Sequence, residues 1–421
     1  MKKLLSILVV IFALQTAIAQ TLSPTVVKHS GIHYERLAQI DTVLKQYVDK
    51  NRMVGAVVII IKDNQVAYYK GHGYANLSAK KPMGTDAIFR IASQTKAITS
   101  FGIMQLFEKG KLGLDQNISD FIPEFKNPQL VKSFNRSDSS YTTTPAKRGI
   151  TIRDLLTHTS GIDYPDIGND TMQAIYAKNK IPVGLGYFND NLLAKMKALA
   201  SLPLIHNPGE RFTYGLNTDL LGCIIEIISG ESLETYFAKH IFEPLGMKDS
   251  HFNVPASKSA RLATAYTEDK DQKIVEWSTS YRNIDPKYPL IPKTYFSGGA
   301  GLSSTAFDYA VFLQMLLNKG SYNGKQILGR RTVELMLSPQ YEERKLIGDD
   351  NLCLGFSITS RKSANKNMRN EGSFAWGGYF GTIYWADPKE KMVCLIMTQQ
   401  TPNSHYDYAE KITNIIYGSL K

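Results

Sequence analysis

A serine and a lysine three residues apart are the side chains that most clearly point to chemistry in this 421-residue sequence. Ser93 and Lys96 lie in the segment 89–96, and the apolar stretch that follows contains neither glycine nor proline before Gly102. If this stretch is a helix, residues three apart share one face, and the lysine amine lies beside the serine hydroxyl. A serine hydroxyl is a poor nucleophile until an adjacent base takes its proton. The spacing therefore predicts a nucleophile and its base within one helical turn.

The same spacing occurs twice more, so the motif alone does not identify a site. Ser78 and Lys81, and also Ser363 and Lys366, stand three residues apart. Both pairs lie among polar, turn-forming residues, which favours solvated loops. A short motif gains meaning from its structural context, and the apolar helix selects Ser93.

Tyr214 is a second candidate, for proton transfer. It lies in residues 211–217, just before a predicted helix and after the turn residues Pro208-Gly209. A tyrosine close to a lysine can pass a proton as phenol or phenolate. The chain contains 23 tyrosines, so the position of Tyr214, and not its residue type, singles it out.

A glycine-rich segment, residues 372–381, is the third candidate, because its glycines lie beside a predicted strand. Glycine in a strand often marks a bulge or a place where another molecule approaches the backbone. Extended backbone next to a nucleophile can donate an N–H group to the oxyanion that develops on a carbonyl. A glycine-rich hairpin without a catalytic role is the alternative that this segment leaves open.

The elements that must position these residues include strands at both ends of the chain. The β-branched run 55–61 and its partner 66–70 predict a hairpin. Near the other end, residues 354–359, 381–386 and 392–397 predict short strands. The simplest architecture is an α/β (α+β) fold with one antiparallel sheet built from both chain ends and covered by helices.

Helices are predicted to fill the middle of the chain. Residues 93–109 predict a helix that is apolar nearly all round and therefore buried, whereas residues 127–148, with their serine and threonine cluster, predict a loop. The sheet domain would comprise residues 20–92 and 295–421. A mainly helical domain, residues 93–294, would be inserted between them and carry the nucleophile on its first helix.

The first nineteen residues predict a secretory signal peptide that is removed on export. Lys2 and Lys3 precede an apolar run, residues 4–14, and Ala17-Ile18-Ala19 has the small-x-small pattern of a cleavage site. The apolar run is too short for a membrane anchor, and no later segment is long and apolar enough to span a bilayer. The sequence therefore predicts an exported protein, either periplasmic or secreted.

Charge and ligand residues argue against nucleic-acid and metal partners. The formal net charge is +11, or +9 without Lys2 and Lys3, but the basic residues are dispersed and lack the aromatic interleaving of nucleic-acid-binding proteins. No His-Glu-x-x-His motif or close Cys/His cluster predicts zinc, and no cofactor is expected. Of Cys223, Cys353 and Cys394, at least one must be a free thiol, and a Cys353–Cys394 disulfide stays open.

Taken in order, the three candidate segments resemble those of the serine β-lactamase and penicillin-binding superfamily. The likeness is strongest to the class C β-lactamase-like branch and the family VIII carboxylesterases. It covers nearly the whole chain after the signal peptide and includes four further segments, residues 155–161, 208–214, 244–247 and 298–302.

The resemblance implies roles for the polar candidates. Ser93 would be the acylated nucleophile, Lys96 its base, and Tyr214 the residue that passes a proton to the leaving group. Because Lys96 and Tyr214 cover the proton transfers, His158 is expected to have a structural hydrogen-bonding role.

The resemblance also assigns the glycine-rich segment. Trp376, Gly377 and Gly378 would stand where the superfamily carries a Lys-Thr-Gly-type strand motif beside the substrate. The backbone N–H groups of Ser93 and Tyr379 would form the oxyanion hole.

Two departures from the family pattern bear on the substrate. Trp376 replaces the lysine that is expected to meet a substrate carboxylate, although Arg369 could supply a replacement charge. The second motif, usually Tyr-x-Asn, reads Tyr214-Gly215-Leu216 here, with Asn217, the expected contact to a substrate amide, one place later. An apolar site does not select for a charged partner, so uncharged esters are expected to be preferred over β-lactams.

The sequence therefore predicts an exported serine hydrolase that acts through an acyl-enzyme on a small-molecule acyl substrate. Esters rank first, and β-lactams or D-amino peptides, as for a DD-carboxypeptidase, are the alternatives. A peptidoglycan- or penicillin-binding module without turnover is the non-enzymatic alternative. The oligomeric state stays open.

Overall fold

The structure is a computed structural model that describes residues 21–186, 189–279, 284–341 and 348–421. The predicted signal peptide, residues 1–19, lies outside these ranges. Among the described helices, none combines the length and the apolarity that crossing a bilayer requires.

The strands of the described chain are short except for the first two. In chain order they are β1 (Gly55–Lys62), β2 (Gln65–Asn76), β3 (Lys81–Pro82), β4 (Phe89–Arg90), β5 (Gln129–Asn135), β6 (Ser140–Pro145), β7 (Tyr266–Glu268), β8 (Ile274–Glu276), β9 (Ser303–Ser304), β10 (Ser321–Tyr322), β11 (Lys325–Gln326), β12 (Asn351–Leu352), β13 (Ser357–Ile358), β14 (Phe374–Gly377), β15 (Ile383–Asp387) and β16 (Met392–Met397).

Eight of these strands form one antiparallel sheet in the order β12-β13-β14-β15-β16-β1-β2-β3. Strands from both ends of the chain meet at its centre, where β1 pairs with β16 from Val57 opposite Met397 to Lys62 opposite Met392. The predicted mixed α/β fold with an antiparallel sheet built from both chain ends is therefore confirmed.

The helices cover both faces of the sheet and fill the middle of the chain. They are α1 (Tyr34–Leu37), α2 (Gln39–Asp49), α3 (Thr95–Glu108), α4 (Ile152–Leu156), α5 (Asp170–Lys178), α6 (Leu192–Ala200), α7 (Asn217–Ser229), α8 (Leu233–Phe237), α9 (Glu243–Leu245), α10 (Ala306–Leu317), α11 (Arg330–Met336), α12 (Arg361–Ala364) and α13 (Tyr408–Gly418). The predicted apolar helix is α3, which is buried on every side from Thr95 to Leu106.

Strand β1 is apolar from Gly55 to Ile61 because both of its faces are covered. Val57, Ile59 and Ile61 join the large core that also contains residues of α3 and α10, and we name this side the inner face. Val58 and Ile60 point the other way, to a second core formed with α2 and α13, which we name the outer face. Such two-sided burial explains the continuous β-branched run, since a half-exposed strand would alternate.

The chain ends lie side by side on the outer face. The N–H of His33 donates to the carbonyl of Ser419 at 2.8 Å, and the N–H of Lys421 donates to the carbonyl of Gly31 at 3.0 Å. These bonds place α1 next to α13, so the residues just before α1 and the last residues of the chain close one layer of the molecule together.

The prediction of a loop at residues 127–148 is wrong, because this segment forms the hairpin of β5 and β6. Leu130, Val131, Phe134 and Tyr141 pack against the large core, while the serine and threonine side chains of β6 are mostly exposed. Threonine is favoured in strands, so a polar cluster can form a strand when apolar residues on its partner face the core.

The three cysteines are free and buried. The domain boundaries at residues 92 and 295 stay a prediction. The eight sheet strands all lie within residues 55–82 and 351–397, which agrees with that division.

Candidate active site

Ser93 lies on a tight turn at the start of α3. Residues Ala92–Gln94 form a 3₁₀ helix between β4 and α3, and Ala92 has a φ angle of +41°. A non-glycine residue in this region is strained, and such strain is concentrated at functional sites. Ser93 is half-buried, whereas Ala92 and Gln94 are buried. The turn therefore exposes the serine selectively.

The structure brings Lys96 and Ser93 together at the predicted spacing. Lys96 is only 2% exposed, and its Nζ lies 3.2 Å from Ser93 Oγ. The same amine donates to Tyr164 Oη at 3.0 Å and to the Gly299 carbonyl at 2.8 Å. A buried charge is costly unless it is hydrogen-bonded, and these three acceptors hold the amine beside the serine.

Tyr164 is a site residue that sequence reasoning missed. It follows Asp163, whose carboxylate accepts the N–H groups of Tyr164 and Asn169, both at 2.8 Å, and so closes the loop after α4. Burial raises the pKa of the Tyr164 hydroxyl well above its usual value, and Tyr214 and Asp219 raise it further. The hydroxyl is therefore a neutral phenol at ordinary pH. In the sequence, the one indication of a role for Tyr164 is that it lies three residues after Gly161, which ends the segment 155–161 that resembles the family.

Tyr214 also reaches the site. It is half-buried, and the centre of its ring lies 4.6 Å from Lys96 Nζ. The Tyr164 ring lies 5.3 Å from the Tyr214 ring, measured between centres. The lysine ammonium thus lies over the face of one tyrosine and is hydrogen-bonded to the hydroxyl of another, an arrangement that stabilises a cation.

The side chain of Asn217 is committed to protein partners. It is fully buried in the first turn of α7. Its oxygen accepts a hydrogen bond from the Ser160 hydroxyl, and its amide nitrogen lies 3.0 Å from His158 Nδ1. The structure therefore places Asn217 as a support for His158 and not against the substrate space.

His158 forms part of an aromatic wall. Burial and the charge of Lys96 hold the pKa of His158 well below its usual value, so the ring is neutral. It stacks on Trp376 at a centre distance of 6.4 Å and an interplanar angle of 13°. Trp376 also packs 5.9 Å from the Tyr214 ring. Where the family pattern has a lysine, this site has a neutral aromatic surface.

Arg369 lines a cleft of about 790 Å³ together with Ala375, Trp376 and Trp385. Ala375 and Trp385 belong to the outer core, whereas Lys96 lies on α3 on the inner side. Trp376 packs against the inner core and also borders this cleft, so the arginine and the aromatic wall share this residue.

Gly378 allows the end of β14 to approach the nucleophile turn. A Cβ atom on Gly378 would collide with the carbonyl oxygen of Ile91, two residues before Ser93, and with the hydroxyl of Thr382. A Cβ atom on Gly377 would have no neighbouring atom closer than 3.6 Å, which is an ordinary van der Waals distance. The close approach brings the backbone at Tyr379 near Ser93, where the family resemblance expects the second oxyanion donor.

One side of the nucleophile turn is apolar. Ala92 belongs to a small buried cluster, which Tyr379 partly covers and whose other members are Leu185, Ala265, Trp277, Ile284, Tyr288, Ala300 and Phe380. Among the described residues, no three His, Cys, Asp or Glu side chains lie close enough together to hold a metal ion.

A family model described as Beta-lactamase matches residues 40–415, which is most of the chain. The chain belongs to the beta-lactamase family. The match spans the candidate segments on α3, before α7 and on β14 together. The superfamily that the motifs resemble is thus confirmed.

Relatives of this beta-lactamase-family chain include hydrolases of more than one kind. Esterase EstB of Burkholderia gladioli is 26% identical over an alignment of 377 positions that covers 86% of this chain and 90% of the esterase. A putative D-alanyl-D-alanine carboxypeptidase of Escherichia coli (strain K12) is 27% identical over 436 residues, with coverages of 98% and 93%. The structure of EstCE1, a hydrolase with promiscuous acyltransferase activity, matches with a TM-score of 0.78 at 27% identity, covering 91% of this chain and 99% of that one. The chain is accordingly a hydrolase-type enzyme.

Replacing Tyr164 by phenylalanine should impair the base. The change Tyr164→Phe removes one of three acceptors from a buried amine, and a hydrogen bond to a charged group is worth ~1.5–3 kcal/mol. We expect kcat for short p-nitrophenyl esters to fall about 10- to 100-fold. Tyr236→Phe is the control, since Tyr236 is also buried but lies on α8. Steady-state kinetics in which Tyr164→Phe behaves like Tyr236→Phe would contradict this role.

A methyl group on Gly378 should damage the site by moving the end of β14. Gly378→Ala must displace either Ile91 or the strand, and losing one oxyanion donor costs ~100- to 1000-fold in kcat. Gly377→Ala adds the same methyl group where it meets only ordinary contacts, so its loss should be far smaller. Equal kcat values for the two variants would show that the close approach at Gly378 does not matter.

Proposed function

We propose that this chain is an exported serine hydrolase that cleaves uncharged carboxylic esters through an acyl-enzyme on Ser93. The observation that carries the proposal is the buried Lys96 amine, 3.2 Å from Ser93 Oγ. Nucleophile and base are in hydrogen-bond reach, which is the arrangement that activates a serine. The N-terminal residues 1–19 support export, to the periplasm or the medium.

The acylation step uses these groups in sequence. The Ser93 O–H bond breaks as its proton passes to Nζ of Lys96 in its neutral amine form, and Oγ forms a bond to the ester carbonyl carbon. The carbonyl oxygen becomes an oxyanion between the N–H groups of Ser93 and Tyr379. The C–O bond to the alcohol then breaks, and the alkoxide takes a proton from the Tyr214 hydroxyl, which Lys96 restores. Water repeats the sequence on the acyl-enzyme and releases the acid.

Two features support esters as the substrate class. The wall of Trp376, His158 and Tyr214 presents aromatic rings at the position where a carboxylate-binding cation is expected, and the His158 ring is neutral. The apolar cluster around Leu185, Ile284 and Phe380 borders the other side of the turn. Apolar walls suit a substrate without charge near its reacting carbonyl.

A second candidate is a carboxypeptidase for D-alanyl peptides. It is favoured by the relative in Escherichia coli, which covers almost the whole chain. That activity would need a group that meets the peptide's terminal carboxylate, and the neutral wall at Trp376 weighs against it.

A substrate panel on the chain from residue 20 onward tests the proposal. We expect kcat/KM for p-nitrophenyl butyrate to exceed that for nitrocefin and for a D-alanyl-D-alanine peptide by about 100-fold or more. The carboxylates of nitrocefin and of the peptide would find no charged partner at the aromatic wall, and an unpaired polar group weakens binding of the transition state. Ser93→Ala is the blank and should remove both turnover and labelling by a fluorophosphonate.

Other outcomes of the panel separate the alternatives. Nitrocefin hydrolysis as fast as ester hydrolysis would identify a β-lactamase, and release of D-alanine would identify a carboxypeptidase. A single equivalent of product without further turnover would indicate a binding module. Unchanged labelling of Ser93→Ala would place the nucleophile elsewhere.

A lysine at position 376 tests the neutral wall directly. Trp376→Lys restores the cation of the family pattern, and we expect the acylation rate with a fluorescent penicillin to rise about 10-fold as the penicillin carboxylate gains a partner. Trp376→Phe keeps an apolar ring and controls for lost packing. If both variants acylate with penicillin equally, the charge at this position does not decide the substrate.

A further inference from the structure

A buried carboxylate near Lys96 is not used in the acyl-transfer scheme. Asp219 lies in the first turn of α7, five residues after Tyr214, and is 0% exposed. Its Oδ1 accepts a hydrogen bond from the Tyr295 hydroxyl at 3.2 Å. Its Oδ2 has no hydrogen-bond partner of good geometry within the described part of the chain, although the Ser297 hydroxyl and the Gly299 N–H lie close enough to lower the pKa of the carboxyl. A buried anion that is incompletely paired requires an explanation.

Gly299 connects this carboxylate to the base. The Gly299 carbonyl accepts the hydrogen bond from Lys96 Nζ at 2.8 Å. A Cβ atom on Gly299 would lie 2.5 Å from Asp219 Oδ2 and 3.2 Å from Tyr164 Oη. The Asp219 carboxylate and the Tyr164 hydroxyl, which itself accepts a hydrogen bond from Lys96 Nζ, therefore lie on either side of Gly299, and the charge of Lys96 lowers the pKa of Asp219.

Asp219 ionises within the range of ordinary assay pH. Burial raises its pKa to about 6, while the Ser297 hydroxyl and the charge of Lys96 act to lower it. The N-terminus of α7 adds a favourable partial positive charge. The carboxyl is therefore an anion at neutral pH, although no solvent reaches it.

The neighbouring hydroxyl and thiol groups stay neutral and do not replace this charge. Burial raises the pKa of Tyr164 and of Tyr295 well above the usual value for a phenol. It raises the pKa of Cys223, which lies one turn further along α7 and acts on Tyr295, to about 12.

Further titratable groups face this region. His158, on the other side of Lys96, is neutral because its pKa is well below the usual value. Tyr214 and Asp166 act on Tyr164, and Asp166 is partly exposed, so solvent screens it. Asp163 is buried, but its carboxylate accepts the N–H groups of Tyr164 and Asn169. Asp219 is the buried carboxyl on which the charge of Lys96 acts.

We propose that Asp219 is a positioning residue that acts through Lys96, because its carboxylate stabilises the ammonium that Lys96 becomes when it takes the proton of Ser93. The inference rests on the proposed acyl-enzyme function. In the step concerned, the Ser93 O–H bond breaks, Nζ gains that proton, and Oγ bonds to the substrate carbon. A carboxylate that is not itself protonated can stabilise a cation formed in this way, as the aspartate of a serine–histidine–aspartate triad does.

The test is the pH dependence of Ser93 labelling in the variant Asp219→Asn. The second-order rate of labelling by a fluorophosphonate, measured from pH 5 to 10, needs no turnover. The Asp219 carboxylate carries its charge only above its pKa of about 6, so the wild-type rate should fall as the pH drops below this value. Asp219→Asn has no carboxylate to titrate, so we expect its profile to lack this acid limb and its rate at neutral pH to lie about 10-fold below that of the wild type.

Asp308→Asn is the matched control. Asp308 is also a buried carboxyl, and burial raises its pKa to about 6 as well. It lies on α10 and accepts hydrogen bonds from the Asp249 N–H and the Ser250 hydroxyl. This control loses the same chemical group in a similar environment, and its profile should keep the wild-type acid limb.

The other outcomes are decisive. A fall in rate at every pH with an unmoved acid limb would make Asp219 structural and overturn the proposal. Should Asp219→Asn fail to fold, Tyr295→Phe applies, because loss of the donated hydrogen bond disfavours the ionised carboxylate. The Tyr295 hydrogen bond lowers the pKa of Asp219, so the acid limb of Tyr295→Phe should move to higher pH, and an unmoved limb would again overturn the proposal. Failure of the acyl-enzyme function is seen separately, as labelling that survives Ser93→Ala.

Discussion

Burial of the Lys96 amine is the constraint on which the rest of this structure depends. Its three acceptors, at Ser93, Tyr164 and Gly299, come from segments that are far apart in the chain. A charged amine in the interior is tolerated only when such partners are in place. The loop after α4 and the glycine segment before β9 must therefore both reach α3 before the base is satisfied. The site and the packing of the helical region against the sheet form together.

The residues around Lys96 are uncharged on the side that carries the aromatic wall. His158 is held neutral by burial and by Lys96 itself, and Asn217 occupies its nitrogen. Trp376 can stack on this neutral ring, whereas a protonated histidine would attract water and anions. The neutral wall is therefore a consequence of how the lysine is buried, and substrate preference and base placement are coupled through His158.

Local sequence patterns predict part of the fold and part of the site. The spacing of Ser93 and Lys96 is a property of one helix, and the run at residues 55–61 is typical of a strand that is covered on both sides, so both were predictable. Tyr164 was not, because its position depends on a loop that Asp163 closes through backbone hydrogen bonds. The orientation of the Asn217 side chain was not predictable either, because it points to His158 only once the loops around the start of α7 have packed. The hairpin of β5 and β6 was missed because its strand character depends on the core that it covers.

The pairing of β1 with β16 has a consequence for how the chain folds. Residues 57–62 cannot find their partner until residues 392–397 exist, so the centre of the sheet waits for nearly the entire polypeptide. Contacts between such distant segments slow folding relative to local ones. A nascent chain of this topology stays open for longer than a helical bundle would. Strand β1 therefore keeps one edge unpaired until the C-terminal strand β16 has been made.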